Sequence, residues 1–286
     1  MKARLTFLGT GTSQGIPIIG CPCRVCKSAD SHDKRFRASA FVEYGGLNIL
    51  VDAGPDFRMQ MLSAGISHLD AILLTHNHKD HTGGLDDVRS LNYIDRKAVD
   101  IYCEERVENT LRREYAYAFV EEKYPGAPEW RIHRIDENPF EIRPNTGYVL
   151  DWVENVGYRY TPVEGAKPGP AVTVIPIRGL HHSMPVLGFR FGDIAYITDM
   201  SSIEDSELSK LKGLRHLTLN TVGYLHHHSH FSLDEALELA SRIGAEHTWL
   251  THLSHTFPPY SEFAEILRER TGGSVLPAFD GLTIED

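Results

Sequence analysis

Residues Thr75 to His81 read Thr-His-Asn-His-Lys-Asp-His, crowding titratable groups directly after the apolar run Ala71-Ile72-Leu73-Leu74. Imidazole nitrogens and carboxylate oxygens are the donors that zinc, iron and manganese accept, and a catalytic site needs them to leave positions open for water. In an extended loop His76 and His78 point the same way and can grip one ion, while Asp80 and His81 turn toward a second. The spacing therefore predicts a two-metal site.

The same donor types recur along the chain. His182 follows an apolar run starting at Val172, Asp199 follows Ile194 to Thr198, and His252 follows His247 to Thr251. A separate group, Cys21, Cys23 and Cys26, is spaced C-x-C-x-x-C, with Cys103 alone. A disulfide framework needs spaced partners that can reach one another, so this triplet reads as metal ligation. A further run, Leu225-His226-His227-His228-Ser229-His230, lies inside the chain.

Placing these groups requires strands alternating with helices. Leu5 to Leu8 reads as a strand, Ala40 to Tyr44 with Leu47 to Val51 as a hairpin turning on Gly45-Gly46, and Ala71 to Leu74 as a buried strand. Helical signals cover Gly84 to Tyr93, Glu104 to Tyr124 before Pro125, and Leu233 to Ile243, the last opened by a Ser232/Glu235 capping box. A second strand group runs Val172 to Ile177, Gly188 to Phe191, Ile194 to Thr198, Leu217 to Asn220 and His247 to Leu250. Two rounds of strands and helices predict two mixed sheets packed face to face with helices outside, an α/β fold of four layers, αββα. The donors then collect on one rim, past the carboxyl ends of the strands, where α/β folds place their sites. The chain reads as a single domain, residues 1–286, with an insertion or lid at 104–170 that is rich in aromatic residues and finishes in the Pro/Gly-rich stretch Pro162 to Pro170.

Composition narrows the partners. Against 29 Lys and Arg stand 39 Asp and Glu, a net charge of -10. A surface of that sign has no general footprint for nucleic acid, so a large polynucleotide substrate is disfavoured. The N-terminus breaks at Gly9 before it can form a signal-peptide core, and no run is long enough to span a bilayer. These features predict a soluble, cytoplasmic protein with no membrane partner.

The motif Thr75–His81, together with Val51-Asp52-Ala53-Gly54, Ile197-Thr198-Asp199 and Leu250-Thr251-His252-Leu253-Ser254-His255, resembles the signature of the metallo-β-lactamase superfamily. That resemblance implies one metal held by His76, His78 and His182, and another by Asp80, His81 and His252, with Asp199 bridging and His181 pointing away. The opening Gly9-Thr10-Gly11-Thr12-Ser13-Gln14-Gly15-Ile16-Pro17 and the cysteine loop are similar to the PhnP-like phosphodiesterases, which open a phosphoribosyl cyclic phosphate. The glycines are not a dinucleotide fingerprint, because the spacing is wrong and Pro17 stands where a helix should start. The likeness implies a structural zinc on Cys21, Cys23, Cys26 and His255, although His32 or an acidic neighbour is an alternative fourth ligand. Four protein ligands close such a site to water. It also implies a catalytic role for His230, while His226 to His228 read as solvated or as substrate contacts.

The expected activity is hydrolysis of a small, cyclic or nucleotide-like phosphodiester by two catalytic divalent metals, zinc or manganese, which make a bridging hydroxide available at neutral pH. His230 is the expected proton donor to the leaving oxygen, with Asp80 orienting that proton as well as binding metal. A homodimer is a candidate assembly. Three rivals share the ligands: a carboxylic ester, lactone or thioester hydrolase, a tRNA 3′-processing-like nuclease, and a non-hydrolytic protein resembling the pyrroloquinoline quinone protein B group.

Overall fold

A computed structural model describes residues 1–124, 126–144, 148–154, 157–162 and 169–286. The chain first lays down β1 (Ala3–Gly9), a short helix α1 (Arg24–Lys27), the hairpin β2 (Ser39–Tyr44) and β3 (Leu47–Val51), and α2 (Phe57–Ala64). Next come β4 (Ala71–Leu73), α3 (Lys79–Thr82), α4 (Arg89–Asp95), β5 (Val99–Cys103), α5 (Glu105–Glu114) and β6 (Trp130–Arg134). The remainder comprises β7 (Phe140–Ile142), the hairpin β8 (Tyr148–Val153) and β9 (Gly157–Pro162), β10 (Val172–His181), β11 (Met184–Phe191), β12 (Ile194–Tyr196) and β13 (His216–Asn220). It closes with α6 (Leu233–Ile243), β14 (His247–Thr251), α7 (Tyr260–Thr271), β15 (Val275–Pro277) and β16 (Thr283–Glu285).

Two seven-stranded sheets result, ordered β16-β1-β2-β3-β4-β5-β6 and β15-β14-β13-β12-β11-β10-β7. Each is antiparallel at one end and parallel at the other, β3 to β6 in the first sheet and β12 to β15 in the second. The apolar patterning explains the layering. Along β4, Ala71 and Leu73 enter the core between the sheets, while Ile72 and Leu74 enter the core beneath the helices. A strand buried on both faces reads as a continuous apolar run, which is why Ala71 to Leu74 shows no alternation. The outer cores are filled by Phe57, Val88, Val107 and Leu111 on one side, and by Leu233, Ala236, Phe263 and Leu267 on the other. This is the αββα sandwich that the patterning predicts.

Several element boundaries differ from expectation. The helix expected over Glu104 to Tyr124 stops at Glu114, because the Tyr115 ring turns in against Trp130 and its hydroxyl donates to the Thr82 carbonyl at 2.8 Å. Tertiary packing overrides local propensity there. Helices α2 and α7 have no counterpart among the expected elements, nor do β5, β6 and β16. The segment 104–170 divides: α5 packs on the first sheet, β6 joins the first sheet and β7 the second, while the β8–β9 hairpin pairs only with itself. Of the Pro/Gly-rich stretch, residues 163–168 lie outside the described residues. No helix of the described residues is long and apolar enough to cross a membrane.

Candidate metal centre

Four loops leaving strand ends build the site: those after β3, β4, β12 and β14, with His181 at the end of β10. Asp52, Asp199 and His252 all adopt left-handed backbone, with φ of 62°, 58° and 57°. Non-glycine residues rarely do so, and such strain persists only where the surroundings hold it. Gly54 matters for a different reason. A Cβ there would lie 1.9 Å from the carbonyl oxygen of Asp80, so only glycine lets the metal loop pack against the β3 exit.

Asp52 sets the orientation of two imidazoles. It is fully buried and accepts from the Thr75 amide at 2.9 Å, the Thr75 hydroxyl at 2.8 Å and His81 Nδ1 at 2.7 Å. With its own proton given to Asp52, the Thr75 oxygen accepts from His76 Nδ1 at 2.9 Å. His181 Nδ1 donates to the Asp199 carbonyl at 3.1 Å. In each case the proton is placed on Nδ1, leaving the Nε2 lone pair free as a ligand.

Those nitrogens converge. Asp80, His81, Asp199 and His252 bring their donor atoms within 4.8 Å of one another, and so do His181, Asp199 and His230. His81 Nε2 lies 3.3 Å from Asp80 and 3.2 Å from Asp199, and His252 Nε2 lies 3.1 Å from the other oxygen of Asp199. The rings of His76 and His78 are 4.6 Å apart, with the His181 ring 5.0 Å from His78. Asp199 stands between the two groups.

His181, not His182, occupies the place beside His76 and His78. Strand β10 continues to His181, and His182 with Ser183 forms the two-residue turn into β11. His182 has φ of 59° and is exposed, so its ring is carried outward, toward His228 at 5.7 Å. The hairpin geometry thus turns His181, expected to point away, toward the cluster, and carries His182, expected as a ligand, outward.

The chemistry of the donors fits divalent cations. His76 Nε2 and both ring nitrogens of His252 are buried with no hydrogen-bond partner, an arrangement that costs free energy unless an electron-pair acceptor meets them. Burial opposes the charge on Asp199, yet His252 and His81 hold its carboxyl well below the usual range. Burial likewise disfavours the His81 cation, but Asp199, Asp52 and Asp80 together raise it well above the ordinary histidine value. Burial pushes His76 well down. Carboxylates kept ionised beside His76 and His252, whose cations burial disfavours, form a cation-binding cage.

His230 stacks on His252 at 4.6 Å and meets His181 edge-on at 4.6 Å, with its Nδ1 buried and unpartnered. Burial and the neighbouring His252 pull it down to about 2. No hydrogen bond joins Asp80 to His230 among the described residues.

The cysteine group is equally convergent. His255 Nδ1 lies 3.2 Å from Cys21 Sγ, 3.5 Å from Cys23 Sγ and 3.7 Å from Cys26 Sγ. The Cys26 amide donated to Cys23 lowers that thiol to about 6, while burial pushes Cys26 up to about 11. His32 is elsewhere, sandwiched by Tyr260 and Phe279 and bonded to Asp30 at 2.7 Å, so it is not the fourth member.

An αββα sandwich with an Asp/His cluster at its strand ends defines the metallo-β-lactamase class, and the beta-lactamase superfamily domain matches residues 47–253. Over 100% of its length the chain superposes on 98% of a structure described as a new diphosphatase from the PhnP family, with a TM-score of 0.81 and 36% identity. It is also 38% identical over 267 residues to an octanoyltransferase of Porphyromonas gingivalis, covering 92% of this chain but 48% of that protein, so it spans about half the length of that relative. A ribonuclease Z of Pyrobaculum aerophilum is 23% identical over 82% of this chain and 86% of its own. The chain belongs to the metallo-β-lactamase superfamily and, within it, to the PhnP family.

Proposed function

We propose that the chain is a dinuclear metal-dependent phosphodiesterase acting on a small phosphodiester or nucleotide-like substrate. The observation that carries this reading is the pair of donor groups meeting at Asp199, with buried nitrogens on His76 and His252 that make no hydrogen bond. His76, His78 and His181 would hold one ion, Asp80, His81 and His252 the other, with Asp199 shared and zinc or manganese as the metals suited to such ligands. Cys21, Cys23, Cys26 and His255 would hold a structural zinc, since four protein donors complete its shell. When bound, the catalytic cations supply an activated water near neutral pH and offset the charge of the phosphoryl oxygens.

The residues of the chain do the rest. Asp52 and Thr75 lock the rings of His76 and His81, so no reorganisation is needed when substrate arrives. His230 is neutral in the unliganded site, because burial dominates its proton affinity. An anionic phosphodiester beside it acts in the opposite sense, and the proton His230 then carries is handed to the departing oxygen. Phosphorus rather than carbonyl chemistry is supported by the diphosphatase description of the 36%-identical relative. A small substrate is supported by the net charge of -10.

The test is turnover of bis(p-nitrophenyl) phosphate and 2′,3′-cyclic nucleotides. We expect His230→Ala to keep its full metal content yet lose roughly 10²-fold or more in kcat, the scale of general acid catalysis. Wild-type turnover in a metal-replete variant would remove that role from His230.

A further inference from the structure

The three histidines assigned to one ion come from different sheets. His76 and His78 lie on the loop after β4 of the first sheet, and His181 ends β10 of the second. Their ring centroids are nonetheless separated by only 4.6 to 5.8 Å. The strands of the two sheets form separate ladders, so no ladder fixes that separation.

Two contacts cross between the segments. The Leu187 amide of β11 donates to the Thr75 carbonyl at 3.1 Å. The other contact is made by a side chain. Arg106, in the first turn of α5, donates from Nη1 to Asn77 Oδ1 at 3.3 Å and from Nη2 to the Pro185 carbonyl at 2.5 Å. Asn77 stands between His76 and His78, and Pro185 pairs across the hairpin with Leu180, the neighbour of His181. One guanidinium thus spans both segments that carry the three histidines.

The helix that supplies it is itself held. Val107 and Leu111 of α5 are buried in the core outside the first sheet. Glu104, just before α5, accepts from both terminal nitrogens of Arg178 on β10, at 2.6 and 3.1 Å. Asn77 Nδ2 donates to the Thr110 hydroxyl at 3.0 Å, and that hydroxyl donates to the Arg106 carbonyl at 3.2 Å. Because a guanidinium only donates, the Asn77 amide has one orientation that serves both partners. Side chains alternate along an extended segment, so turning Asn77 toward α5 turns His76 and His78 the other way.

Charge and geometry act in opposite senses at this residue. Arg106 is half-buried; burial opposes its charge, and Glu104 favours it. A positive charge near a cation site weakens metal binding. A planar fork that fixes two segments at once strengthens it, and an ammonium has no such fork.

We infer that Arg106 is a positioning residue: by bridging Asn77 and Pro185 it sets His76 and His78 against His181, and so sets the affinity of the site these three form. This rests on the reading of the three histidines as ligands of one ion. Arg106 acts through the loop and the hairpin, and metal affinity is where its loss is read.

The experiment is a titration of metal-free protein with cobalt(II), followed by calorimetry and absorption. Thiolate-to-cobalt charge transfer reports the cysteine site, and ligand-field bands report the Asp/His sites. The binding step that His181→Ala abolishes is the one belonging to the three histidines. In Arg106→Ala that step should weaken by about tenfold or more, the scale of lost support around a metal ligand, while the other two steps stay within about twofold. Its ligand-field bands should shift, with circular dichroism matching wild type. Arg106→Lys keeps the charge without the fork and should weaken the same step. Arg113→Ala removes an equal charge from an exposed position on the same helix and should not. Asn77→Ala should weaken that step as well, and adding it to Arg106→Ala should cost less than the sum of the two. If Arg106→Ala fails to fold, Arg106→Lys and Asn77→Ala carry the test. Unchanged or tighter binding at the three-histidine step in the folded variants, or equal weakening of all three steps, would overturn the positioning role and leave the metal-site reading standing. A wild-type protein with no step that His181→Ala abolishes would overturn both.

Discussion

Single residues decide which imidazoles become ligands. His181 and His182 are indistinguishable by type and adjacent in sequence, and only the register of the β10–β11 hairpin separates them: His181 pairs with Met184 in the ladder, and His182 begins the turn. A one-residue difference in where a strand ends reverses every side chain beyond it, so patterning alone does not separate the two: His182, the ligand the resemblance implies, stands in the turn, and His181 lies beside His76 and His78. Asp52 was legible only as part of a resemblance, because a buried carboxylate that orients His81 and, through Thr75, His76 leaves no spacing signal of its own. We therefore expect His181→Ala to lose about one metal equivalent per chain and His182→Ala to lose none, measured by elemental analysis. Equal metal loss in both variants would contradict the assignment.

At the scale of elements, what was legible depended on where the stabilising contacts lie. Helix α6 was readable because its cap is local, with Ser232 and Glu235 satisfying each other's backbone groups. Helix α5 was overestimated because Tyr115 and Trp130, distant in sequence, end it. The turn that carries Asp80 and His81 depends on close packing at Gly54 and Gly84, whose added Cβ atoms would lie 1.9 Å from the Asp80 oxygen and 2.1 Å from the Gly54 oxygen. Gly54→Ala should fold with a lowered Tm, bind fewer metals at the Asp/His cluster and lose most turnover. Wild-type metal content in that variant would show that the loop can shift without cost. Another element-level contact is His68, which bridges Asp95 at the end of α4 at 2.7 Å and Asp70 before β4 at 3.1 Å. Burial disfavours its cation, but Asp95 and Asp70 outweigh that and raise its pKa. A raised histidine contributes stability that is fully present below its unfolded value of about 6.5 and is lost as pH climbs through the folded value. His68→Gln should thus be less stable than wild type by about 1 kcal/mol or less near pH 5.5, the scale of a solvent-screened pair, with the gap closing toward pH 9. Denaturant melts at both pH values measure this, and a gap that widens with pH would refute the sign.

Across the whole molecule, the chain ends and the two donor clusters are tied together. β16 pairs with β1, and the Ala3 amide donates to Asp286 at 2.7 Å. Thr10 links the N-terminal loop to the C-terminal half: its hydroxyl accepts from buried Arg35 at 2.7 Å and donates to Asp280 at 2.7 Å, and its carbonyl accepts from the Leu253 amide at 2.8 Å. Leu253 stands between His252, in the Asp/His cluster, and His255, at the cysteines, so one loop serves both clusters. The layered fold was legible because it follows from apolar patterning, and both donor groups were legible because metal chemistry restricts residue types; the pairing of chain ends was not, because β16 is short and takes its partner from the other end of the sequence. The most direct test of the account is elemental analysis of protein purified without added metal, paired with turnover of bis(p-nitrophenyl) phosphate before and after chelation. The account predicts about three metals per chain, two at the Asp/His cluster and one at the cysteines, with turnover lost on chelation and restored by zinc or manganese. One metal or fewer, with no turnover after metal is returned, would contradict it.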